Sequence, residues 1–114
     1  MTTVRVVAAD GSVVCERCTV ASNALSRMRG LLGRSTLAGD EGILLRPASS
    51  VHTAFMRFPI DVVFVDRDLV VLKVAPELAP WKAAGCRGAK AVFELRAGEA
   101  ARRGVVQGSS LRLE

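Results

Sequence analysis

The sequence predicts a mainly β fold, a compact antiparallel β-sandwich or barrel-like single domain over residues 1–114 with one or two short helices. Three observations carry this. About eight short apolar runs recur at close spacing, most of them bounded by Gly, Pro, Asn or Asp. Val, Leu and Ala supply most of a hydrophobic share of 50%. A chain of 114 residues buries roughly two-thirds of its unfolded surface, enough for one core and too little for two.

Taken in order, Val4 to Val7 reads as a strand, Asp10-Gly11 as a tight turn, and Val13 to Cys15 as the returning partner. Thr19 to Ala21 forms a third short strand. Ser22 is placed as an N-cap to a helix over Asn23 to Arg29, closed by Gly30, with Leu25 and Met28 sharing its buried face. Gly33 to Gly42 is a loop, and Gly42 to Leu45 a buried strand stopped near Pro47. The stretch Ser49 to Phe55 alternates, putting Ser50, His52 and Ala54 on one side and Val51, Thr53 and Phe55 on the other. Pro59 breaks it before a strand over Asp61 to Val65, whose register sets Asp61 on the opposite face from Ile60 and Val62. Asp66-Arg67-Asp68 turns into a strand over Leu69 to Val74. Pro76 to Gly88 is read as irregular and carries the sole tryptophan, Trp81. Lys90 to Leu95 is a strand, Gly98 to Arg103 a short helix ended by Gly104, and Leu111 to Leu113 the last strand.

The net charge of +5 comes from thirteen arginines and three lysines against eleven acids. The arginines are scattered, and no aromatic interleaves with them as a single-strand groove requires, so no specific nucleic-acid role is expected. The N-terminal residues lack the apolar stretch of a signal peptide, and the apolar runs are too short to span a bilayer. A soluble, cytoplasmic protein is the expectation. Three cysteines, Cys15, Cys18 and Cys86, make an odd set that argues against a disulfide framework.

Four ordered blocks have a familiar form: Arg27 to Arg34, Glu41 to Leu45, Val51 to Phe64 (Val-His-Thr-Ala-Phe-Met-Arg-Phe-Pro-Ile-Asp-Val-Val-Phe), and Phe93 to Ala100 followed by Gly104 and Gly108. Together they resemble the family called domain of unknown function 192, small prokaryotic proteins. The resemblance runs from about Ala21 onward and implies a compact β-sandwich-like domain. It brings no substrate, cofactor or catalytic residue. Cys15 and Cys18 stand outside the shared pattern.

The block Ser50 to Asp66 concentrates the polar side chains that a core strand does not need. His52, the only histidine, exchanges a proton near neutral pH. If Asp61 pairs with it across neighbouring strands, the two form a proton carrier and its orienter, with Thr53 or Ser50 completing a polar cluster. The bland alternative is a structural hydrogen-bond pair. Asp61 itself suits either a carboxylate accepting backbone N–H groups at a turn or the partner of Arg27, Arg34 or Arg57. Converging arginine forks favour an anionic or sugar-acid ligand, and Trp81 provides either a wall for a planar ring or a cap on the core. Cys15-Glu16-Arg17-Cys18 has the spacing of half a zinc site, for which Cys86 and His52 complete a ligand set only if all four converge. No metal and no cofactor are expected.

The leading expectation is therefore a small non-enzymatic β domain that binds a small ligand, anionic or sugar-like in chemistry, or a protein partner. Its ligand-binding residues are Arg34, His52, Thr53, Arg57, Asp61 and Trp81. The alternatives are a hydrolase or isomerase using His52 with Asp61, and an assembly accessory presenting an exposed sheet edge.

Overall fold

A computed structural model describes residues 2–21 and 36–114. The expected helix over Asn23 to Arg29, its cap at Ser22, and the residues Arg27 and Arg34 lie outside the described residues.

Nine strands are present among the described residues: β1 (Thr2–Ala8), β2 (Val13–Ala21), β3 (Glu41–Leu45), β4 (Ser50–His52), β5 (Ile60–Val65), β6 (Val71–Leu78), β7 (Ala83–Gly85), β8 (Ala91–Arg96) and β9 (Leu111–Leu113). One short helix, α1 (Glu99–Arg102), follows β8. Seven strands form a sheet in the order β6-β5-β8-β3-β2-β1-β9, and β4 pairs with β7 in a separate two-stranded sheet. All pairings among the described residues are antiparallel except that of β2 with β3, which is parallel. The mainly β architecture agrees with the expectation.

The large sheet curls into a half-barrel whose two edges meet. An isolated bridge joins Val70, just before β6, to Ser110, just before β9. Val71 N donates to Ser109 O at 2.8 Å, and Leu111 N donates to Leu69 O at 3.0 Å. Contact between the edges satisfies backbone groups that an open sheet leaves bare. The accessory reading, which needs an exposed edge, gains nothing from this arrangement.

Every residue of β5 is buried. A strand covered on both faces reads as a continuous apolar run, and Ile-Asp-Val-Val-Phe-Val is such a run apart from Asp61. Its alternation feeds two cores. Val63 and Val65 point inward with Val6, Val14, Leu44, Phe93 and Leu95, whereas Ile60, Val62 and Phe64 face outward with Ile43, Leu45 and Val92. The outer core is roofed by Val51 and Met56, with Ala84 packed against it. Lys73 of β6 latches this roof: Nζ donates to Gly85 O at 2.9 Å and lies 5.7 Å from the centre of the Phe64 ring.

Three local expectations are corrected. Val13 to Cys15 and Thr19 to Ala21 belong to one strand, β2. In its pairing with β1, Val4 faces Cys18 while Val6 faces Cys15, so three steps on β2 match two on β1. This bulge at Glu16-Arg17 resets the alternation and puts both cysteines in the inner core. Second, the stretch Pro76 to Gly88 is not wholly irregular: β6 runs on to Leu78 and β7 lies within it. Third, the strand holding His52 does not pair with the strand holding Asp61. β5 takes β6 and β8 as neighbours, and His52 stands opposite Ala83 of β7. The longer ladders available to the fully buried β5 win over the short β4.

Candidate functional site

The His52 block and the Trp81 loop meet, and Thr53 is what joins them. Thr53 is fully buried. Its backbone N–H donates to Lys82 O at 2.8 Å, and its carbonyl accepts from both Met56 N and Trp81 N at 3.1 Å. Its hydroxyl donates to Ala79 O at 2.6 Å, with Lys82 O 3.2 Å away, and accepts from Lys82 N at 2.9 Å. A β-branched residue with a restricted χ1 and a hydroxyl that both donates and accepts is suited to such a junction.

The junction displays an aromatic pair. Phe55 and Trp81 have ring centroids 4.7 Å apart at an interplanar angle of 60°. Phe55 is nevertheless 70% exposed and Trp81 63% exposed. Both sit in the left-handed backbone region, at φ 66° and 64°, each at a cost of about 1 kcal/mol for a side chain with a Cβ. The left-handed turn at Phe55 ends the alternation that would otherwise send it inward with Val51 and Thr53. Near the pair in sequence, His52, Arg57 and Lys82 are exposed. The two connections that carry the aromatics, residues 53–59 and 79–82, contain no Asp or Glu. Among the described residues no ion pair engages Arg57 or Lys82.

Asp61 is placed elsewhere. It is 1% exposed, on β5. Its Oδ1 accepts Glu77 N at 2.8 Å, and its Oδ2 accepts Gly98 N at 3.0 Å and Ala100 N at 2.9 Å. All three donors are backbone amides, and His52 is not among its partners. The pairing of His52 with Asp61 as proton carrier and orienter therefore has no geometric basis among the described residues. Asp61 matches the alternative of a carboxylate that gathers backbone N–H groups, drawn here from three segments rather than one turn.

The chain is similar to proteins whose folds are known. The family model DUF192, described as an uncharacterized ACR, matches residues 5–113. The chain belongs to the DUF192 family. A crystal structure of a protein of unknown function from Novosphingobium aromaticivorans is 26% identical, with a TM-score of 0.82 over 97% of this chain and 84% of that one. A second, from Sinorhizobium meliloti and described provisionally as a transcription regulator, is 24% identical, with a TM-score of 0.84 over 97% and 92%. That likeness shows the fold alone. No curated protein matches the chain.

The four zinc-ligand candidates of this DUF192 chain occupy three separate places. Cys15 and Cys18 lie in the inner core, Cys86 packs against the outer core, and His52 is exposed on β4. Cys15 and Cys18 contact each other: their mutual hydrogen bond holds the Cys15 thiol below its usual range and, with burial, pushes that of Cys18 up. Among the described residues no group of three or more His, Cys, Asp and Glu side chains is arranged to hold a metal ion.

Sequence reasoning missed two residues in this DUF192 domain. Phe55 was assigned to a strand face, although the Thr-Ala-Phe-Met stretch before Arg57 is where the chain turns. Glu94 escaped notice because it sits inside an apolar strand, opposite Val62 on β5 and Ile43 on β3. It is 8% exposed, and burial pushes its carboxyl up to about 7.

Proposed function

We propose that the protein is a non-enzymatic binding module that takes a small acidic sugar on the Phe55–Trp81 pair. The observation that carries this reading is two large aromatics held in the solvent on left-handed backbone while a buried threonine fixes both of their turns. Large apolar side chains exposed together as a patch, rather than singly, mark an interaction surface. The faces of Phe and Trp suit the C–H face of a pyranose. His52, Arg57 and Lys82 supply donors at the rim, and the absence of carboxylates on both connections favours a carboxylate-bearing ligand. Among the described residues no helix is long and apolar enough to cross a membrane.

Trp81 is the sole tryptophan, so its emission reports the site directly. Titration with glucuronate is expected to give a saturable change in that emission, weaker with glucose. Phe55→Ala should reduce affinity by about tenfold, as loss of a stacked ring does. Identical titrations for the wild type and Phe55→Ala, or no saturable response to glucuronate, overturn the reading.

A further inference from the structure

At the opposite end of the half-barrel from Phe55 and Trp81 lies a cleft of about 330 Å³. Three cations line it: Arg46 directly after β3, Arg67 just after β5, and Lys90 directly before β8. These strands are neighbours in the sheet, in the order β5-β8-β3. The register aligns their ends, since Val65 faces Ala91 and Leu45 faces Val92. Adjacent strands are about 4.8 Å apart, so the three side chains start from a span that their own length easily covers.

The backbone under them is fixed. Arg46 N donates to Ala21 O at 3.2 Å, Lys90 N to Val65 O at 2.8 Å, and Ala48 N to Lys90 O at 3.1 Å. The turn bearing Arg67 is closed by Asp66 N to Val70 O and Leu69 N to Asp66 O, both at 3.0 Å. Asp66 is the one carboxylate lining the cleft. Its Oδ1 already accepts Asp68 N at 2.9 Å and Val70 N at 3.0 Å.

Part of the chain's positive charge is already neutralised. Arg5, Arg17, Arg102, Arg103 and Arg112 are each ion-paired with a carboxylate. Among the described residues, Arg46, Arg67 and Lys90 have no such partner. Three cations brought to one cleft against a single carboxylate, Asp66, leave an excess of positive charge there that favours an anionic occupant. Guanidinium forks suit the oxygens of phosphate, and a lysine adds a point charge. Leu69 and Ala91, with Pro47 beside them in the lining, offer a surface for a non-polar body attached to it.

We propose that this cleft is a binding site for a phosphate monoester, its phosphate held by Arg46, Arg67 and Lys90 and its organic body laid against Leu69 and Ala91. The site is independent of the aromatic pair, so failure of either proposal leaves the other standing.

The test is an amide NMR titration of the full chain at constant ionic strength with two probes, inorganic phosphate and phenyl phosphate. Both are expected to give saturable shifts centred on Arg46, Arg67 and Lys90. Phenyl phosphate should bind more tightly and also shift the amides of Leu69 and Ala91. The exposed double variant Arg46→Gln/Arg67→Gln should weaken phenyl phosphate by about tenfold or more, while Arg112→Gln leaves it unchanged. Non-saturating shifts, or equal weakening by Arg112→Gln, overturn the site in favour of diffuse surface charge. Equal affinity for the two probes overturns the ester and its apolar floor.

Discussion

Asp61 Oδ2 accepts the backbone N–H of Ala100 at 2.9 Å, across a sequence separation that spans β6, β7 and β8. The same oxygen takes Gly98 N, and the other oxygen takes Glu77 N. One buried side chain thus ties β5 to the irregular end of β6 and to the first turn of α1. The pairing of β5 with β6 is irregular between Ile60 and Val62, and Asp61 occupies that gap. Its carboxylate does there what the missing rungs of the ladder do elsewhere.

Asp61→Ala would leave three backbone donors without their acceptor. Charge-assisted bonds of this kind are costly to remove, and a loss of about 3–5 kcal/mol is expected. Urea denaturation followed by far-UV circular dichroism measures it. Asp61→Asn, which keeps one acceptor oxygen, should cost less. A loss below about 1 kcal/mol for the alanine variant would show that water replaces the carboxylate and that the three segments hold without it.

Thr53→Val keeps the shape of the side chain and removes its hydroxyl. Ala79 O and Lys82 N then lose their partner, at about 1–3 kcal/mol. Because the same junction positions Trp81 N, the variant is also expected to alter tryptophan emission and its anisotropy, whereas Thr53→Ser preserves both. A variant that melts early with unaltered emission would separate stability from the presentation of Trp81.

Glu94 makes stability depend on pH in a direction opposite to that of most carboxylates. Burial raises its carboxyl from 4.5 to about 7 in the folded state, so the folded protein holds the proton more tightly than the unfolded chain. Its contribution is complete below the unfolded value and is lost as the pH rises through about 7. Glu94→Gln should therefore gain stability relative to wild type above that pH, by about 3 kcal/mol at most. The two proteins should converge near pH 4. Parallel melting-temperature profiles for the two, from pH 4 to about 8, would show that the Glu94 carboxyl titrates alike in the folded and unfolded chain and that burial does not shift it.

Much of this arrangement was legible in the sequence because it rests on local pattern. The apolar run Val62 to Val65 marks β5 as a strand, Asp10-Gly11 marks the β1–β2 turn, and Gly98 and Gly104 bracket α1. What could not be read depends on distant partners. The bulge at Glu16-Arg17 appears only when β1 is laid beside β2, and without it Cys15 and Cys18 read as facing opposite ways. β7 has only Ala-Ala-Gly, with no intrinsic strand preference, and exists because β4 needs a ladder. At the site, Trp81 stood out as the single tryptophan beside a proline, while Phe55 was hidden by an alternation that the left-handed turn interrupts. Asp61 was visible as an anomaly in its strand, and of the partners the sequence offered (His52, an arginine or the amides of a turn) the fold supplies amides, drawn from three segments that the sequence does not bring together.

The seam between Val70 and Ser110 carries a consequence for how the chain acquires its shape. The contacts that seal the half-barrel involve Ser109, Ser110 and Leu111, whereas one of the edges they seal is present once β6 has been made. During vectorial synthesis, β6 and β1 therefore both wait with bare edges until the segment around residue 110 emerges. Closing so long a loop is slow relative to making the hairpins inside it. The interval between those events is the period in which the nascent chain is exposed to strand addition by its neighbours.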